Sequence, residues 1–220
     1  MEPGGRAMTV VLVGDAGGNL SGNSSAIVQT GFRGEQRLAR RIEQWAASKN
    51  GPILIAYSIR SDNVGDVDCV IATGRSVLMV DAKAFKSGYT YGVTKDGKLR
   101  RVSGLRKPRG RSFGRGGVIH AESQAKRFFA MLEREGVSGF SLLEPVVVLS
   151  TVLSDGARVC RDGNWEKAPF TLLSSDELNG HLDQLFPDSE IYGSTRLKQL
   201  GEVMRKHHLS GVAVPTSQRG

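Results

Sequence analysis

Asp68 and Asp81 stand in two short apolar runs, Val67–Ala72 and Val77–Lys83, joined by Thr73-Gly74-Arg75-Ser76. Both runs are rich in β-branched residues and the join contains a glycine, so the segment is expected to form a β-hairpin. With Gly74-Arg75 as a two-residue loop, Gly74 takes the positive-φ first position of a type II′ turn. Ala72 then opposes Val77, Val70 opposes Met79, Asp68 opposes Asp81 and Asp66 opposes Lys83. Two carboxylates on facing positions, roughly 5 Å apart, repel each other. A hard divalent cation with oxygen ligands would relieve that repulsion, and Mg²⁺ (or Mn²⁺) suits one or two carboxylates plus water and substrate phosphate. Lys83 projects to the same side of its strand as Asp81. Its ammonium could orient a metal-bound water or stabilise the charge of a pentacovalent phosphorus. The plainer readings are that the acids mark exposed strand positions and that Lys83 pairs with Asp66, which otherwise serves as an outer carboxylate.

Two helices must bring further groups to this hairpin. A pattern with Leu38, Ile42 and Trp45 on one stripe predicts a helix from Gly31 to about Ser48. Glu35 falls on that buried stripe, so its carboxylate is directed toward the sheet, unless it stands in a first helical turn to complement the dipole. A second helix, Ala121 to Glu135, has Ala121, Ala125, Phe128 and Leu132 as its apolar stripe and stops at Gly136. Gln124 lies on the inward side, where its amide could hold a phosphate or a ligand carboxylate, or serve as a core amide.

Around these, Ile53–Tyr57, Pro145–Ser150 and Phe170–Leu173 read as strands. Ser174-Ser175-Asp176-Glu177 resembles a capping box that opens a helix to Phe186, and a last helix covers about Ser194 to His208. The order predicts an α/β fold with a mixed sheet. Residues 1–28 read as a flexible lead in which Val10–Val13 could add an edge strand, residues 29–210 as the folded domain and residues 211–220 as a loose tail.

The chain has 220 residues and a formal net charge of +8. Between Lys95 and Gly117 nine basic residues stand against one acid, Asp96, so this segment alone carries the whole excess. Its glycines and Pro108 make it a mobile loop in this reading. Lys98, Arg100, Arg101, Arg106, Lys107, Arg109, Arg111 and Arg115 are expected to contact nucleic-acid phosphates, where released counterions supply sequence-independent affinity. No apolar run approaches a membrane span and no signal segment is recognisable, so a cytoplasmic protein is expected. Cys69 and Cys160 are expected as reduced thiols, and the adjacent His207 and His208 as unsuited to a shared metal. Walker A and GxGxxG patterns are absent.

Gly34-Glu35 at a helix start, Val67-Asp68-Cys69-Val70-Ile71, Val80-Asp81-Ala82-Lys83 with Gly88 after it, and Gln124 together resemble the NERD (nuclease-related domain) family of the PD-(D/E)xK nuclease superfamily. The resemblance runs from about Thr30 to Ser150. It implies a restriction-endonuclease-like core and Mg²⁺-dependent phosphodiester hydrolysis, with DNA the expected substrate. It also implies Glu35, Asp68 and Asp81 as the acidic, metal-holding set, helped by the Ala82 carbonyl, and Lys83 as the active-site lysine. Two residues depart from the pattern: no proline precedes Asp68, and Asp81 stands where glutamate is more usual. A non-catalytic nucleic-acid-binding module on the same scaffold is the alternative.

Overall fold

A computed structural model describes residues 10–20, 25–61, 64–85, 88–93, 99–102, 120–151, 158–160, 170–187 and 194–208. The elements in chain order begin with β1 (Val10–Val13), a 3-10 turn (Gly18–Leu20), α1 (Ala26–Ala47), β2 (Ile53–Ser61), β3 (Gly65–Ala72) and β4 (Ser76–Phe85). They continue with β5 (Thr90–Val93), β6 (Leu99–Val102), α2 (Ala121–Arg134), β7 (Ser141–Leu142), β8 (Val146–Thr151) and β9 (Arg158–Val159). β10 (Thr171–Ser174), α3 (Leu178–Leu185) and α4 (Ser194–His207) complete them.

The main sheet has the order β1-β2-β3-β4-β8-β10, with β7 beside β4. β2, β3 and β4 form an antiparallel meander, whereas β1–β2, β4–β8 and β8–β10 pair in parallel, so the sheet is mixed as expected. Its two faces build two cores. Val70, Ala72, Val77 and Met79 pack under α2 and α4 through Phe128, Leu132, Leu200 and Met204. Cys69, Ile71, Leu78 and Val80 pack under α1 and α3 through Leu38, Ile42, Trp45 and Leu182. Trp45 also donates its indole N–H to Asp183 at 2.8 Å, which ties α1 to α3. No helix among the described residues is long and apolar enough to cross a membrane.

α1 starts earlier than Gly31, inside the stretch whose composition suggests a flexible lead. Ser25 caps it, accepting the Val28 N–H at 3.3 Å. Gly31 and Gly34 look like breakers, each costing about 1 kcal/mol in a helix, but Gly34 is where α1 meets the sheet. A Cβ there would lie 3.3 Å from Ala84 Cβ and from Ser150 Oγ. The Ser150 hydroxyl donates to the Gly34 carbonyl at 2.9 Å. The Val10–Val13 patch is an edge strand.

The hairpin register is the expected one, with Val70 opposite Met79 and Ala72 opposite Val77. Its turn is not type II′, since Gly74 has no positive φ. The Thr73 N–H donates to the Ser76 carbonyl at 3.0 Å, and the Arg75 carbonyl accepts from Ser141 at 2.8 Å, so docking on β7 shapes the loop. The basic segment is not all loop. Residues 99–102 are β6, which pairs with β5 and places Arg101 opposite Tyr91 and Arg100 opposite Gly92, in a small sheet of order β6-β5-β9. Lys98, Arg106, Lys107, Arg109, Arg111 and Arg115 lie outside the described residues, as does the expected tail.

Candidate active site at the strand fork

The β3–β4 ladder stops at Cys69 and Val80, one rung before the two aspartates. Beyond it β3 continues against β2 as far as Gly65, while β4 turns to β8 and pairs through Phe85 with Thr151. The strands fork there. Asp68 does not simply face Asp81: its Oδ2 accepts the Ala82 N–H at 2.8 Å and so replaces the missing ladder bond.

The fork has a local cause. Ser58 on β2 is fully buried yet has φ 50°, a left-handed conformation that costs a non-glycine residue about 1–3 kcal/mol. Its rung with Asp68 is absent between Tyr57–Cys69 and Ile59–Val67. Side-chain alternation breaks at the same place: Val67 and Val70 both belong to the α2 face, with Cys69 alone between them on the α1 face. A strict period of two would have kept Val67 with Cys69.

Alternation along β4 sends Val80 and Ala82 toward α1 and therefore Asp81 and Lys83 to the other side. Lys83 Nζ lies 2.5 Å from Asp81 Oδ1. The Lys83–Asp66 pair of the plainer reading does not form, because Asp66 lies opposite Arg60 of β2 and its Oδ1 sits 3.2 Å from Arg60 Nε. Gln124, half-buried at the start of α2, donates its amide to the Asp66 carbonyl. A cavity of about 10 Å³, room for one water, lies between α2 and the fork and is lined by Asp68, Asp81, Ala121 and Gln124.

Glu35 comes from the middle of α1, so the dipole at the helix start does not explain it. It is buried, and its Oε2 has no hydrogen-bond partner. The Gly17 backbone amide favours the charged form of this carboxylate. Burial raises its pKa to about 7; the nearby Lys83 charge lowers it, and the Asp81 and Asp66 charges raise it. Asp68 is held well above the usual carboxylate range, first by burial and then by the Asp81 charge. Burial pushes the Lys83 ammonium down, but Asp81, Asp68 and Glu35 outweigh it and keep the group above its ordinary value. Glu35, Asp68, Asp81 and Lys83 therefore feel one another's charge, with more negative than positive charge when fully ionised.

A family model for the nuclease-related domain matches residues 30–150. The chain belongs to that family. No curated protein and no solved structure matches it. The span that defines this nuclease-related domain runs from α1 to β8 and contains Glu35, Asp68, Asp81, Lys83 and Gln124, whereas β1 and the Gly14–Leu20 segment lie before it.

Among the described residues no group of three or more His, Cys, Asp or Glu side chains converges closely enough to hold a metal ion alone. The donor set nonetheless has the right chemistry for a small hard cation, which needs only one or two carboxylates and completes its shell with water and phosphate. The unpartnered Glu35 Oε2 is the oxygen most in need of a cation or a water. Two groups near the site are not evident from the sequence, Gly17, which precedes the nuclease-related span, and Ser58 within it. The Asp15-Ala16-Gly17-Gly18 run lacks phosphate-loop spacing, and its glycine pair signals only a turn; nothing in the type of Ser58 announces a left-handed residue inside a strand.

Proposed function

We propose that this nuclease-related domain hydrolyses phosphodiester bonds of DNA in a reaction that requires Mg²⁺ or Mn²⁺. Asp68 and Asp81 would hold the ion, with Glu35 binding it directly or through water. When bound, the ion supplies charge neutralisation and a more acidic water. The observation that carries this reading is the buried, unpartnered Glu35 Oε2 beside two aspartates that one lysine leaves under-compensated.

The residues of the chain divide the remaining work. Lys83 stays protonated beside Asp81, and its ammonium would leave Asp81 Oδ1 to stabilise the charge that builds on phosphorus or to orient the attacking water. Gln124 holds the Asp66 backbone next to the fork, so α2 fixes the far wall of the cavity. Arg100 and Arg101, on the small sheet, and the basic residues from Lys98 to Arg115 would bind the backbone of the substrate.

The rival is a nucleic-acid-binding module without catalysis. The Lys83–Asp81 contact favours it, since an ammonium on Oδ1 already satisfies that oxygen. Cleavage of single- and double-stranded DNA and RNA, with and without Mg²⁺ or Mn²⁺, separates the two. DNA cleavage that needs the metal and falls at least a hundredfold in Asp81→Ala and in Lys83→Ala is the expected result. Salt-sensitive binding with no cleavage under any condition would leave the rival standing.

A further inference from the structure

We infer that the Gly14–Leu20 segment, which precedes the residues defining the family, completes the metal site, and that Ser58 is the positioning residue that holds it there. The inference rests on the metal-dependent reading of the fork. Ser58 Oγ donates to the Asp15 carbonyl at 3.0 Å and accepts the Gly18 N–H at 3.1 Å, so one hydroxyl clamps both ends of the Asp15–Gly18 turn to the middle of β2. The turn in between sets Gly17 against Phe32, one helical turn from Glu35, and its backbone amide favours the charged Glu35 carboxylate.

The fit is close on every side. Gly17 has φ 76°, which an L residue rarely adopts, and a Cβ there would lie 2.4 Å from the Phe32 ring. Phe32 stands one helical turn before Glu35 on α1, so the turn braces the stretch of helix that carries the acid. Behind it, Gly14 leaves space that His208 fills, and His208 Nδ1 sits 3.1 Å from the Tyr57 carbonyl, the residue next to Ser58.

Ser58 also stands at the missing rung opposite Asp68. Its left-handed backbone breaks alternation where Asp68 leaves the ladder to bind Ala82, and its hydroxyl fixes the turn whose Gly17 amide favours charged Glu35. A single residue thus sets the positions of two acids that reach the site from different elements. Metal sites depend on such outer partners, whose loss typically weakens metal affinity about 10–100-fold.

The test is calorimetric titration of Mn²⁺ into the full chain, for wild type and for Ser58→Ala, Ser58→Gly, Glu35→Gln and the Ser58→Ala/Glu35→Gln double variant, with melting temperatures alongside. Glycine accepts φ 50° without strain, so Ser58→Gly keeps the fold even where alanine is poorly tolerated. Both Ser58 variants are expected to bind Mn²⁺ at least about tenfold more weakly than wild type. Ser58→Ala is expected to add less in the Glu35→Gln background than it does alone, because part of its effect runs through Glu35. Unchanged Mn²⁺ affinity in both Ser58 variants, whatever their melting temperatures, would overturn the inference, as would full additivity with Glu35→Gln. Wild-type protein that binds no Mn²⁺ would instead sink the metal reading and this inference with it.

Discussion

Glu35→Gln isolates the cost of keeping a carboxylate under α1. Burial raises the Glu35 pKa from 4.5 to about 7. Between those values the unfolded chain releases the proton freely while the folded chain retains it, so stability falls as pH rises. A tenfold difference in proton affinity between the two states is worth about 1.4 kcal/mol, so the rise from 4.5 to about 7 gives a loss of about 3 kcal/mol, absent below pH 4.5 and complete above pH 7. For a chain of this length that is about 6–12 °C in melting temperature. The amide that replaces the carboxyl has no proton to lose and still offers an oxygen. Urea unfolding followed by circular dichroism in EDTA, at steps from pH 4.5 to 8, should show the wild type losing about 3 kcal/mol more than the variant across the window. Asp68 also has a raised pKa, to which the Glu35 charge contributes, so the difference between the curves reports Glu35 together with its coupling to Asp68. Adding Mg²⁺ at pH 8 should recover stability in the wild type and much less in the variant. Parallel stability curves for the two proteins would show that Glu35 is not a buried acid strained by its surroundings, and the argument for a cation beside it would fail.

Asp68→Asn keeps an acceptor for the Ala82 N–H while removing a buried charge, so at pH 8 it should be at least as stable as wild type. Asp68→Ala leaves that N–H unmatched and should lose about 1–3 kcal/mol by denaturant unfolding. Phe128, fully buried on the inner face of α2, should cost about 3–5 kcal/mol when replaced by alanine, read from the shift in urea midpoint. Burial, then the Asp68 and Glu43 charges, hold the Cys69 thiol well above its usual range. Alkylation of the folded chain at pH 8 should therefore modify the half-buried Cys160 and spare Cys69 until denaturant is added.

The hairpin was legible because two apolar runs and a short glycine-containing join leave one register that buries both faces. The inward side of α1 was legible from Leu38, Ile42 and Trp45, all buried as the helical period requires. The start of that helix at Ala26 was not, because Gly31 and the Gly/Ser cluster before it are poor helix formers on propensity alone. Asp66 went to Arg60 instead of Lys83 because β3 leaves β4 at the fork, and alternation carries no mark of where a ladder ends. β5, β6 and β9 are short, and glycine and charge in and around them obscure the period of two on which strand reading depends.

The fork also sets the order in which the molecule can be assembled. Asp68 and Asp81 lie in a meander whose strands are close neighbours along the chain, so their approach requires little loop closure. The opposite arm of the fork needs Val80 to meet Val146 in parallel, across the whole basic segment and α2, which is a slow, non-local step. The aspartates therefore come together before the strand that closes the sheet arrives, and their repulsion acts on an early folding species. If the fork holds the ion proposed above, a divalent ion present at that moment would relieve the repulsion and hasten folding itself.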